Sequence, residues 1–308
     1  MDSLSDIKLA RDGEITWDTH KRLGYARLSR GVYGHLPDTV GKSQWETRRE
    51  LFLCKVQGIL APYAGRPVVL FGPTALQVLG VALPSRLQDW DNVHLMVERG
   101  RYRPARSGVI SHTATMPISV WRQINGCPLP NPVDAWVQLD ATEDELVEVG
   151  DGLVRRQQPL LKMTDITARL AELTGAPGVK RARRAFRLVV PGTDSIMESR
   201  TRLILVRAGL PCPSVNHPVP CRNAGWIYHV DMGYVKEKTA VEFDGAVHVE
   251  SKEQMEIDAQ RRRDIQDEGW LIITVTKQQL KYPAQFVHSV ETALILRRSE
   301  LTRRRRLP

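Results

Sequence analysis

Two runs of strand-forming residues, Trp226 to Tyr234 and Thr239 to Gly245, flank the charged stretch Val-Lys-Glu-Lys, and the acids they carry constrain the fold most. Aromatic and β-branched residues on both sides of a short polar turn predict an antiparallel hairpin. A turn centred on Lys236 and Glu237 sets Asp231 opposite Glu242, and His229 opposite Asp244. Opposed residues hold their Cβ atoms roughly 5 Å apart on one sheet face. Two carboxylates that close, on a strand otherwise built of Val241 and Phe243, repel each other unless a cation lies between them. Hard oxygen ligands suit Mg²⁺ or Mn²⁺. Such an ion activates water and offsets charge on a phosphodiester transition state. Asp231 and Glu242 are therefore the candidate metal ligands. Edge-strand charge that discourages aggregation is the competing account, but two Asp and a Glu on one face exceed what it requires.

A chain of 308 residues is more than one core usually organises, so two domains with a small third module are expected. Pro191-Gly192-Thr193 breaks the chain before a complete series of helix, hairpin, helix, strand and helix. The expected division is 1–40, 41–192 and 193–308, with the last part folding alone. At 42% hydrophobic and 26% charged residues the composition is globular. No apolar run approaches the ~18 residues of a spanning helix, and the start MDSLSDIKLARDGE lacks the pattern of a secretory signal. A cytoplasmic protein without membrane contact is expected. The net charge of +9, from 44 Lys and Arg against 35 Asp and Glu, favours a polyanionic partner. DNA fits that requirement. Cys54, Cys127, Cys212 and Cys221 are too few and scattered for a disulfide framework. Cys212, His217, Cys221 and His229 lack the C-x-x-C knuckle of a zinc site.

Along the chain, TWDTHKRLGYARL followed by Arg30-Gly31-Val32-Tyr33-Gly34 reads either as the end of a small winged-helix module or as a plain helix and hairpin. Residues 44–63 have helical spacing, 67–71 form a short buried strand, and ALQVLGV forms a second helix. From 146 to 173 the helical texture is interrupted by Gly150, Gly152 and Pro159. Between 178 and 190, Val179, Ala182, Phe186 and Val189 make one apolar stripe, with Lys180, Arg181, Arg183, Arg184 and Arg187 on the other faces. That helix is either a solvated surface or a phosphate contact. Ser195 and Glu198 form a capping box opening a helix to Gly209, with Arg202 one turn beyond Glu198. A further helix begins near Ser251 and ends at Gly269. It carries Asp258 and the run Arg261-Arg262-Arg263, which either lies along a DNA backbone or is a solvated face tied by Asp258 and Asp264. A closing helix spans 284–297, and Arg303 to Arg306 form a basic end that reads as a solvated tail.

The runs MESRTRLILVRAGLP, HVDM, AVEFDGAVH and DAQRRRDIQDEGWLIITVT resemble the endonuclease-like domains related to very-short-patch-repair (Vsr) enzymes, of the PD-(D/E)XK nuclease superfamily. The resemblance covers about a third of the chain, in order and spacing. It implies an α/β fold with a mixed sheet flanked by helices. Glu198 would lie on the first helix, Asp231 and Glu242 would be the central acids, and a later helix would carry Asp258 and Arg261. The lysine expected two residues after the second acid is Asp244 here. Its cationic role then passes to His248, Arg261 or Lys238, or is absent. The full candidate set is Glu198, Asp231, Glu242, Asp244, His248 and Arg261, with Mg²⁺ or Mn²⁺ as cofactor. RGVYG with FGPTALQVLGVALP is similar to the N-terminal and central regions of AbiEi-type antitoxin proteins, which implies an α+β region at 41–192 and a toxin or regulatory protein as a further partner. Two functions follow: a metal-dependent DNA endonuclease, or a non-cleaving DNA-binding antitoxin or regulator on the same fold.

Overall fold

The structure is a computed structural model that describes residues 7–13, 15–16, 18–100, 103–114, 118–245 and 252–306. The chain divides into two compact units, Met1–Val149 with Thr164–Phe186, and Gly150–Met163 with Arg187–Pro308. The break expected at Pro191-Gly192 thus falls a few residues earlier. Residues 150–163 also belong to the second unit rather than the first.

The first unit opens with a three-stranded antiparallel sheet of β1 (Lys8–Leu9), β2 (Ala26–Ser29) and β3 (Val32–Gly34), in the order β1-β3-β2. Gly31 makes the β2–β3 turn at φ +72°, a conformation that a side chain resists. Among the described residues no α-helix precedes Gln44. The segment is therefore a hairpin without the helices of a winged-helix module. After α1 (Gln44–Leu60) come β4 (Val68–Leu70), α2 (Gly72–Val78), β5 (Val93–Glu98) and β6 (Val109–Ala114). In this sheet β5 pairs antiparallel with β4 and parallel with β6. The hairpin of β7 (Arg122–Ile124) and β8 (Cys127–Leu129) leads to α3 (Pro132–Val137), α4 (Glu143–Leu153), α5 (Met163–Glu172) and α6 (Val179–Phe186). Gly150 and Gly152 lie inside α4, and the helical interruption falls at 154–162 instead.

Helix α6 settles how its arginines are used. Val179, Ala182 and Ala185 are buried. Arg181 donates to the Leu139 carbonyl at 2.8 Å, Arg183 to the Leu170 carbonyl at 2.6 Å, and Arg184 to the Glu143 carboxylate at 2.9 Å. Three cations offered by the sequence as phosphate contacts are therefore engaged within the first unit, two of them on backbone carbonyls left over at helix ends.

The second unit holds α7 (Ile196–Arg207), β9 (Ser214–Cys221), β10 (Trp226–Tyr234), β11 (Thr239–Asp244), α8 (Lys252–Asp267), β12 (Leu271–Thr276), α9 (Lys277–Lys281) and α10 (Ala284–Arg306). The sheet order is β12-β11-β10-β9, with β11 and β12 parallel and the other pairs antiparallel. A parallel pair needs a crossover connection, and α8 supplies it. One core joins Leu205 of α7 and Phe286, Val290 and Leu294 of α10 to Met232, Tyr234, Val241 and Val275. The other joins Ile265 of α8 and Trp270 to Val219, Val230 and Ala240. Ala240 and Val241 are consecutive in one strand, so the two cores lie on opposite faces of the sheet. The unit is a mixed sheet between helical layers, the α/β arrangement expected. Helix α10 continues to Arg306, so the basic end is helical rather than a loose tail.

Strand β10 departs from simple alternation at one place. Tyr228 and Val230 pack into the α8-side core, whereas Met232 and Tyr234 pack into the opposite one. All four have the same parity, so the strand changes face between Val230 and Met232. Asp231 lies at the change. It is the residue of β10 that pairs in neither ladder: the β9 register skips from Val230↔His217 to Met232↔Val215, and the β11 register begins at Met232↔Val241.

Candidate active site

The turn at 235–238 sets the register as the sequence implies, because a short hairpin loop fixes which residues oppose. Met232↔Val241, Gly233↔Ala240 and Tyr234↔Thr239 are paired, which aligns Asp231 with Glu242. The two strands separate there. In place of a backbone partner, Phe243 donates its N–H to the Asp231 carboxylate at 2.9 Å. The pairing of His229 with Asp244 does not form: His229 pairs with Pro218 of β9, and Asp244 with Thr276 of β12.

A cleft of about 750 Å³ opens at this point, lined by Asp231, Glu242, Asp244, Asp258, Arg261 and Arg262 among others. Glu242 is buried, and Arg261 of α8 grips it from both oxygens, at 2.5 and 3.2 Å. The same guanidinium donates to the His229 carbonyl at 2.7 Å. Of the two described candidates for the missing cation, Arg261 reaches Glu242 and Lys238 does not. Lys238 sits at the hairpin turn, donating to the Glu268 carbonyl at 2.6 Å, and His248 lies outside the described residues. The Asp258 charge adds to those that favour charged Arg261, while Gln254 donates to Asp258, and Tyr228 and Gln260 donate to Asp264.

Glu198 reaches the group from α7. The Ser195 hydroxyl accepts from the Glu198 N–H at 3.1 Å, and the Glu198 carboxylate accepts from the Asp194 N–H at 2.9 Å. This is the expected capping arrangement shifted by one residue. Capping alone does not explain the electrostatics. Burial, with the negative charge of Asp231 adding to it, pushes the Glu198 carboxyl up to about 7. Burial likewise raises Asp231, and Glu242 raises it further, against the Phe243 N–H and Arg261. Asp231 is thus the acid common to the group, flanked electrostatically by Glu198 and Glu242. Arg202, expected beside Glu198, instead donates to Asp151 at 2.7 Å.

The raised Glu198 makes a testable demand on stability. Its folded value of about 7 exceeds the usual 4.5, so the folded chain retains a proton that the unfolded chain releases. That contribution is complete below about 4.5 and is lost as pH rises through about 7. Glu198→Gln stays neutral throughout and still serves as a capping residue. Urea midpoints taken at pH 5 and pH 8 are expected to differ less in the variant than in the parent chain. Equal differences would mean that Glu198 ionises freely.

No family model matches this chain. Two curated proteins of Mycobacterium tuberculosis, each described as an uncharacterized protein, are similar to it: MT2308 of strain CDC 1551 / Oshkosh and Rv2248 of strain ATCC 25618 / H37Rv. Each is 25% identical over 118 residues, which is 38% of this chain and 43% of the relative. The chain therefore spans less than half the length of the curated relatives it matches. Among solved structures, the crystal structure of the RV2827C protein from Mycobacterium tuberculosis aligns with 69% of this chain and 83% of its own, at 13% identity and a TM-score of 0.37. Among the described residues, no helix is long and apolar enough to cross a membrane.

Proposed function

We propose that the second unit is a metal-dependent DNA endonuclease of the PD-(D/E)XK type. The observation that carries this reading is the pair Asp231 and Glu242, from two neighbouring strands, lining the cleft where the sheet opens, with Glu198 of α7 near enough for the Asp231 charge to raise its carboxyl. Burial raises the carboxyls of Glu198 and Asp231 first and neighbouring negative charge adds to it, and a cation in the cleft would favour their ionised forms. Among the described residues, no group of three or more His, Cys, Asp or Glu is arranged to hold a metal. The ion proposed is a hydrated Mg²⁺ or Mn²⁺, which one or two carboxylates suffice to hold, with Asp231 and Glu242 as the residues that would hold it. Such an ion, when bound, supplies an activated water and charge neutralisation at a phosphate. Arg261 and Arg262 place positive charge in the same cleft, and the net charge of +9 suits a polyanion.

The grip of Arg261 on Glu242 favours a second reading, in which the same fold binds DNA without cutting it, as an antitoxin or regulator would. Incubating the full chain with supercoiled, mismatched and single-stranded DNA in Mg²⁺ or Mn²⁺ separates the two. Asp231→Asn is expected to lower cleavage by at least about a hundredfold. Removing a carboxylate beside the phosphates leaves binding in low salt unchanged or slightly tighter. A parent chain that binds and never cuts supports the second reading. Cleavage that survives Asp231→Asn places the chemistry elsewhere.

A further inference from the structure

Asn216 of β9 stands directly opposite Asp231 of β10, at the pair the ladder skips. Its backbone is left-handed, with φ +46° in the middle of a strand. A non-glycine residue in that region is under strain, least so for Asn and Asp, whose short polar side chains tolerate it. Such strain persists where the surrounding structure requires it, and it collects at functional sites. Here the surroundings identify the requirement. The Asn216 side-chain amide donates to the Gly192 carbonyl at 2.6 Å. Two residues after Gly192 comes Asp194, whose N–H holds the Glu198 carboxylate, and then Ser195, which caps α7.

Residue type discriminates between two explanations. If the backbone turn were all that mattered, glycine would adopt it without strain. If the amide bond were all that mattered, an ordinary extended residue would not need a positive φ. Asparagine meets both demands at once, because it tolerates the turn and supplies an N–H donor. Aspartate tolerates the turn and, ionised, has nothing to donate.

We infer that Asn216 is a positioning residue for the acidic centre: its left-handed turn accompanies the change of face that brings Asp231 to the cleft, and its amide ties the Glu198 loop to the same strand. The metal-binding part of this inference rests on the endonuclease reading; the tie itself does not. Asn216→Gly keeps the turn and removes the donor, and Asn216→Asp does likewise.

Three measurements on the full chain decide the matter. In both variants, amide exchange of residues 193–199 is expected to accelerate about tenfold while that of β11 and β12 is unchanged. Mn²⁺ affinity, read from the electron paramagnetic resonance signal of the free ion, is expected to fall about tenfold. The melting temperature of Asn216→Gly is expected not to fall, because the lost bond is offset by relief of strain. Unchanged exchange at 193–199 overturns the tie. Faster exchange with full Mn²⁺ affinity overturns the positioning role and leaves Asn216 a structural residue. Parent-like behaviour of Asn216→Asp overturns the assignment to the amide donor. If the parent chain itself binds no Mn²⁺, the endonuclease reading fails, and the exchange data still decide the tie.

Discussion

Replacing Asp151 with asparagine is expected to destabilise the second unit by about 3–5 kcal/mol, the usual cost of removing one partner of a buried ion pair. Asp151 and Arg202 have side chains 0% and 1% exposed and meet at 2.7 Å. The other Asp151 oxygen accepts the Val190 N–H at 2.8 Å. Arg202 also carries a buried Nε with no partner. The guanidinium cannot shed its charge, so the substitution strands a cation in the core. The pair is not thereby a net stabiliser: burial raises the Asp151 carboxyl above its ordinary range despite the attraction of Arg202. Arg202→Met together with Asp151→Leu is accordingly expected to recover most of the loss. Denaturant unfolding of the parent, Asp151→Leu, Arg202→Met and the double variant forms the cycle that measures this, with Asp151→Asn measured beside it. Single variants that each cost under about 1 kcal/mol would show that water reaches the pair. The same bond fixes the boundary of an independently folding piece. A fragment beginning at residue 193 lacks Asp151, so it should melt without cooperativity, whereas one beginning at Glu143, the start of α4, should not.

Arg261→Ala is expected to change metal binding and cleavage in opposite directions. Removing the guanidinium frees both oxygens of Glu242 and takes a repelling charge out of the cleft, so Mn²⁺ should bind more tightly. On the proposed endonuclease reading, the guanidinium in the cleft also neutralises charge at the phosphate. Cleavage should therefore fall by roughly 10²- to 10³-fold, the order of effect of deleting one fixed donor at such a site. Titration with Mn²⁺ beside a plasmid-nicking assay reads both quantities. A variant that binds Mn²⁺ more tightly and cuts as fast as the parent would reduce Arg261 to a brace for Glu242. One that binds no better would show that the metal never approaches that carboxylate.

The parts of the site legible in the sequence are those decided by near neighbours. The register of β10 with β11 follows from a short turn and a period of two, and the structure pairs Met232 with Val241 as that turn requires. The cap of α7 follows from Ser195 and Glu198, three residues apart. What remained hidden lies across long chain separations. Asp151 and Arg202 come from different helices, and nothing in α4 marks Asp151 as the partner of a residue in α7. Arg261 was visible as one of three cations, but only the crossover helix shows which carboxylate it meets. The arginines of α6 had the composition of a phosphate-binding face. Their engagement with the Leu139 and Leu170 carbonyls depends on where neighbouring helices end. Asn216 carries no signal, and the strand that holds it is itself hidden by Pro218 and Pro220.

The change of face in β10 has a mechanical consequence. A strand that alternates faithfully offers each side chain one of two cores, and a carboxylate is costly in either. By breaking phase at Asp231, β10 keeps its acid out of both. The sheet then loses ladder bonds on both sides of one residue, so β10 is riveted to its neighbours above and below that point but not at it. The two halves of the strand, Tyr228 with Val230 and Met232 with Tyr234, are anchored in separate cores. A small rotation of one half against the other would part the rivets least where the acids stand. The seam is thus the place where the sheet resists deformation least, and on the proposed endonuclease reading it is also the place where the phosphate would lie.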